Sequence, residues 1–287
     1  MRKLKRPPLT PKRKDYLDSR AKGMLIGKPL HYPAAVAERY QHALERLISP
    51  MLKEYERELN TLWTELSPEI AQDASLTSQA RMRLAKLKAK FDKLFRLSAP
   101  TIVDRVLNGV DKHSALSLKE SLMKLTGGVT LTTSIMPAAL KESMKASTIE
   151  NVALIKSIQA KYHERIESAV MRSIQRGGEG RKTIIDEIRS IGKVSERRAK
   201  LISSDQTRKA TAASNKFRSE ALGIKKFKWV HSRGGVDQRI KHLNADGNIY
   251  SYDDPPKIGD KGEAVLPGEA INCRCVAVPV IEWGQDN

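Results

Sequence analysis

Cys273 and Cys275 stand one residue apart near the end of the chain and are its only thiols. On an extended backbone they face one side while Arg274 faces the other, which makes two soft donor atoms neighbours. Their β-carbons then lie well beyond the roughly 3.8 Å of a relaxed disulfide, so they are poorly placed to bridge each other. Upstream, Arg239 and His242 follow Asp237 and, three residues apart, share one face of a helical turn. Two chemistries arise from these residues. The first is a metal site in which His242, Cys273 and Cys275 are donors, with Asp237 or His231 as a fourth. Structural zinc takes four Cys or His ligands, usually with a wider thiolate spacing than C-x-C. The expectation is therefore no resident cofactor and two small buried cysteines on a strand, with zinc as the alternative. The second is hydrolysis, with His242 as general base beside Asp237 and Arg239 as a phosphate clamp. No second carboxylate or Gly-rich phosphate loop accompanies them, and Asp237 bracing Arg239 while His242 fixes a turn serves equally well. The expectation is a non-enzymatic protein.

The elements that must position these residues are short. Residues 227–231, aromatic and β-branched between Gly223 and the Gly234–Gly235 turn, predict a strand bearing Trp229. Asp246 and Gly247 turn the chain into 248–252, Pro255 and Pro256 end that segment, and a Gly/Pro-rich loop leads to an apolar run over 272–280. Everything earlier reads as helix. Apolar residues recur every three or four positions over 34–66, with a kink or break expected at Ser49-Pro50. The pattern repeats over 77–97 and restarts after Pro100, where Asn108-Gly109 weakens it. A further set runs from Leu116 to Leu125 ahead of Gly127-Gly128, and the Thr-rich 129–135 is either strand or loop. Ser147 or Asn151 caps a helix that stops at 177–180. A short helix leads to Gly192, and Ser195 caps the next, which ends at Gly223. The fold class expected is α+β: a mostly helical N-terminal half and a small mixed C-terminal domain with a short antiparallel sheet. The boundaries expected are a flexible basic arm over 1–30, a helical domain over 31–147 and the mixed domain over 148–287.

A formal charge of +19 and a pI near 9.9 point to a polyanionic partner, nucleic acid first. The arm concentrates Arg2, Lys3, Lys5, Arg6, Lys12, Arg13 and Lys14 among prolines, a composition that favours salt-dependent contact with phosphates. The tryptophans lie far apart in sequence, so double-stranded DNA held by backbone charge fits better than stacking on single strands. Two cysteines fit a reducing compartment. No apolar run nears the roughly 20 residues that span a bilayer, and the N-terminus has no apolar signal core, so assembly in a cytoplasm without a membrane is expected.

The order of the C-terminal elements resembles the phage Mu F-like head morphogenesis proteins, also called minor head or minor capsid proteins. The resemblance rests on Trp229 in its strand, a D-x-R-x-x-H element (Asp237, Arg239, His242) and the turn at Gly247. It continues through the D-D-P-P step at Pro255 and Pro256 to the P-G-E-x-x-N-C-R-C-x-A-x-P ending with Pro267, Gly268, Asn272, Cys273, Arg274 and Cys275. It covers roughly 151–281. Many relatives carry an extra cysteine pair where this chain has 239–242, a departure that weakens the case for a tetrahedral metal site. The resemblance implies a low-copy virion protein of the capsid interior, made in the host cytoplasm. Its implied partners are the portal, the major capsid or scaffolding protein and double-stranded DNA, and its implied roles are in head assembly, DNA packaging or ejection. The alternative is a virion-carried nuclease or toxin-like effector using Asp237, Arg239 and His242.

Overall fold

The computed structural model describes residues 23–65, 76–123, 125, 132–176, 181–234 and 238–282. The arm residues Arg2, Lys3, Lys5, Arg6, Lys12, Arg13 and Lys14 lie outside them, as do Asp237, 127–131 and the helix stop at 177–180. In chain order the elements are β1 (Met24–Ile26), α1 (Ala34–Glu65), α2 (Leu76–Met123), α3 (Ala138–Gln175), α4 (Arg181–Ala221), β2 (Lys226–Val230), α5 (Ile240–Asn244), β3 (Ile249–Ser251) and β4 (Val276–Glu282). The class is α+β, with a small antiparallel sheet near the C-terminus, as the sequence predicts. Among the described residues no helix is long and apolar enough to cross a membrane.

The helices are longer than their sequence punctuation predicts. α1 runs through Pro50 and α2 through both Pro100 and Gly109. Pro50 and Pro100 are exposed, so a carbonyl left without its helical partner can bond water, while Ile48, Met51, Ala99 and Val103 are buried alongside. α3 starts at Ala138, well before Ser147, and Asn151 is no cap. Its side chain is buried inside the helix, where it accepts from the Tyr40 hydroxyl and donates to the Ser147 carbonyl and to Gln206. α4 passes through Gly192, and the Ser195 hydroxyl donates back to the Ile191 carbonyl instead of capping a helix. The glycines are spacers: a β-carbon on Gly109 would come within 3.2 Å of a Val36 methyl, and one on Gly192 equally close to Leu52. The Thr-rich segment shows no strand from residue 132 onward.

The contacts divide into two compact units, and each draws on sequence from both sides of residue 147. One is helical, built from Ala34–Gly109 and Met144–Thr207. Tyr55 sits at its centre, edge-on to Tyr162 at 5.2 Å, beside Phe91 at 5.9 Å, and sharing a 3.0 Å hydrogen bond with His163 Nδ1. Burial holds the His163 imidazole below its ordinary pKa, although the Glu167 carboxylate 3.5 Å away pulls in the opposite direction. The unfolded chain therefore takes up a proton more readily than the folded one. The stability this confers is complete above the ordinary value near 6.5 and is lost as pH falls through the lower folded value. Acidification from about pH 7.5 to about pH 5 is expected to lower the denaturation midpoint more in the wild type than in His163→Gln. Equal losses in the two proteins would remove His163 from the account.

The other unit carries the sheet, in the order β1-β4-β2-β3 with every pairing antiparallel. Its helical parts are Val110–Met123 of α2, the start of α3 and α4 from Arg208. Met24–Ile26 was expected within the flexible arm. It instead pairs with the end of β4, Leu25 opposite Ile281, because its short apolar run completes the sheet edge beside a small cluster of Leu30, Leu118, Leu122 and Ile224. The main core of this unit gathers Ala212, Phe227, Trp229, Tyr252, Leu266, Cys273, Cys275 and Ala277.

Candidate functional site

The inward face of β2 organises the site. Phe227 and Trp229 alternate inward and are fully buried, while Lys226 and Lys228 are half-exposed. The Trp229 N–H donates to the Asn248 carbonyl, and the Gly247 N–H returns to the Trp229 carbonyl, so the Asp246-Gly247 turn extends the pairing that β3 begins. Asp246 accepts from the His231 N–H at 2.9 Å and from the Arg233 guanidinium at 3.1 Å, anchoring the far end of β2. Between these two points α5 turns His242 into the core and leaves Ile240 exposed.

The long return from β3 to β4 is shaped by its punctuating residues. The Pro256 carbonyl accepts from the Ile258 and Val265 N–H groups, and Glu269 accepts from the Leu266 N–H. Gly268 has a φ of +90°, in the region where a side chain is strained, and a β-carbon there would lie 3.5 Å from the Cys275 carbonyl oxygen. Asn272 has a φ of +59°, a left-handed turn that asparagine tolerates better than most residues. This turn sends Cys273 inward. Cys273 and Cys275 are buried and Arg274 is exposed, which matches the alternation read from sequence even though β4 begins only at Val276.

Three donor atoms converge here. Cys273 Sγ is 3.5 Å and Cys275 Sγ 3.7 Å from His242 Nδ1, and all three atoms lie within 4.8 Å of one another. The Trp229 ring stands edge-on to the imidazole at 5.3 Å. His242 Nε2 is buried without a hydrogen-bond partner among the described residues, and the Trp229 indole N–H faces the Cys275 sulfur. The thiols are unequal. Cys273 is pulled down chiefly by a hydrogen bond from Cys275, with backbone N–H groups and the His242 field adding to it against the effect of burial. Cys275 is pushed up by its hydrogen bond to Cys273, by burial and by its neighbour's negative charge.

Arg239 and His242, expected to act on one face, are divided between two tasks. Arg239 precedes α5 and grips Asp260 through two nitrogens, at 2.8 and 3.1 Å, while a third contact reaches the Ile271 carbonyl at 3.0 Å. It therefore staples the return loop to the start of α5, and its guanidinium holds the Asp260 carboxyl below the usual range. His242, only 2% exposed, faces sulfur and indole. Trp229, His242, Cys273 and Cys275 are brought together, Arg239 lies at their edge, and His231 turns away to accept the Arg233 N–H. Sequence reasoning missed Asp260 and read Asp246 only as a turn residue, since a carboxylate in a polar loop carries no local sign of its partner. It also missed the buried Arg218 of α4, which donates to Asp111, Thr133 and Ile135.

Comparison with known proteins places these elements. Over 259 residues, 89% of this chain, it is 30% identical to an uncharacterised protein of Haemophilus influenzae. The chain spans about half of that relative, 55% of its length. No solved structure matches. Residues 164–278, which run from α3 to the early part of β4 and include the Trp229, His242, Cys273 and Cys275 cluster, match the family described as phage Mu protein F like protein. Over this stretch the chain is similar to the phage Mu protein F-like family.

Proposed function

We propose that this chain is a phage minor head protein that acts in procapsid assembly, lies in the capsid interior next to the portal, and contacts packaged double-stranded DNA in packaging or ejection. The observation that carries the reading is the match over 164–278, which coincides with the part of the fold whose residue choices packing leaves unexplained. The charge is an independent support. A balance of +19 inside a head would sit against the genome by displacing counterions, without base recognition. The non-enzymatic reading draws on the engagement of Arg239 by Asp260 and on the burial of His242, which closes the imidazole to a phosphodiester.

The test is to count this chain in purified empty procapsids and in DNA-filled heads of the encoding phage, and to compare the wild type with a variant in which Arg2, Lys3, Lys5, Arg6, Lys12, Arg13 and Lys14 are neutral. A few copies per particle before packaging are expected. The variant should bind all DNA sequences more weakly, its log–log salt slope shallower by up to about 6. Absence from both kinds of particle overturns the assembly role. An unchanged salt slope removes the arm from the DNA contact.

A further inference from the structure

We infer that His242, Cys273 and Cys275 form a binding site for one thiophilic divalent cation, with zinc the metal that best suits two thiolates and an imidazole. The inference stands on this geometry and is independent of any role in head assembly.

The spacing comes first. With Zn–S near 2.3 Å and Zn–N near 2.0–2.1 Å, a tetrahedral site separates a sulfur from a nitrogen ligand by roughly 3.6 Å. The two sulfurs stand 3.5 and 3.7 Å from the same nitrogen, His242 Nδ1. Hydrogen bonding accounts for one of these distances but not for both. An imidazole nitrogen has one lone pair or one hydrogen, so it serves one S–H or one thiolate well at a time. A cation at the centroid serves all three.

The surroundings add a second argument. A core built only for packing would gain from an apolar residue in place of His242, because burying an imidazole carries a desolvation cost that a bond to metal at Nδ1 would offset. With the metal on Nδ1, the ring proton necessarily resides on Nε2. The left-handed Asn272 turns Cys273 inward, and the strain of a non-glycine residue in that region is a feature concentrated at functional sites. Two thiolates and a dication are neutral together. Among the described residues the cluster has three donors, which leaves the fourth position of a tetrahedron to a further ligand. The cation would clip α5 to the lead-in of β4, joining residues 31 and 33 positions apart.

The full chain, purified under reducing conditions without chelator, should carry one zinc. The metal-free protein titrated with Co²⁺ should develop a thiolate-to-cobalt charge-transfer band and intense visible bands of a tetrahedral ion. Both should saturate at one equivalent and be abolished by zinc. His242→Cys, which keeps three donors, should retain the bands with shifted maxima, whereas His242→Phe and Cys275→Ala should lose them. A folded wild-type chain that gives no charge-transfer band overturns the proposal. So does a band that survives in folded His242→Phe and Cys275→Ala. A Cys273–Cys275 disulfide formed in the reduced preparation and resisting metal uptake also overturns it.

Discussion

Arg218→Met is expected to destabilise the sheet-bearing unit by about 3–5 kcal/mol, close to the largest effect a single surface-neutral substitution can have in this chain. Arg218 is 2% exposed although it lies on a helix whose neighbouring turns are rich in charge. Its guanidinium donates to the Asp111 carboxylate on α2 and to the carbonyls of Thr133 and Ile135, which lie between α2 and α3. One side chain therefore ties three segments of the same unit. Methionine approximates its volume but leaves a half-buried carboxylate and two carbonyls with nothing to satisfy them, and the cost is that of orphaned acceptors more than of a lost attraction. Asp111→Asn keeps an acceptor at the same place and should cost only about 1–2 kcal/mol. The check is denaturant unfolding of the full chain together with hydrogen exchange, in which the peptides covering 132–135 and 208–221 should lose protection first in Arg218→Met. If both variants stay within about 0.5 kcal/mol of wild type, the network does not hold this unit together.

That network also marks where sequence reading stops. Local chemistry was legible wherever partners are close in sequence: the strand around Trp229, the turn at Gly247, and the facing of Cys273 and Cys275 all follow from alternation and turn residues. Punctuation misled where tertiary packing outweighed it. Pro50, Pro100, Gly109 and Gly192 each look like stops. The prolines are exposed, and the glycines mark positions where Val36 and Leu52 crowd the backbone, so the helices continue. The Ala-rich stripe on α4 was visible as a packing face. What the stripe could not reveal is that Ser114 reaches Asn215 over 101 residues, or that Arg218 reaches Asp111 over 107, because such pairing depends on a fold that periodicity does not encode. The same limit applied to the site. His242 was identified as a chemical residue, but its separation from Arg239 was not foreseeable until Asp260 entered from the loop.

Trp229→Ala is the second substitution expected to have a large effect, at about 3–5 kcal/mol. The indole is the largest fully buried side chain among the described residues, and it stands near the end of β2, between β4 on one side and the extended β3 pairing on the other. Its ring contacts His242 edge-on at 5.3 Å and Tyr250 at 6.4 Å, so truncation opens a cavity beneath the imidazole and removes the wall that fixes its rotamer. Trp229→Phe separates packing from polarity. Phenylalanine keeps an aromatic edge against His242 and gives up only the weak contact of the indole N–H with the Cys275 sulfur, so its cost should stay below about 2 kcal/mol. Unfolding midpoints of the three proteins decide the matter, with Cys275 alkylation as a second reading. Under native conditions the thiol should react many-fold faster in Trp229→Ala and near the wild-type rate in Trp229→Phe. If alanine costs less than about 1 kcal/mol, or if alanine and phenylalanine expose Cys275 equally, the ring does not shape the cluster and His242 owes its position to α5 alone.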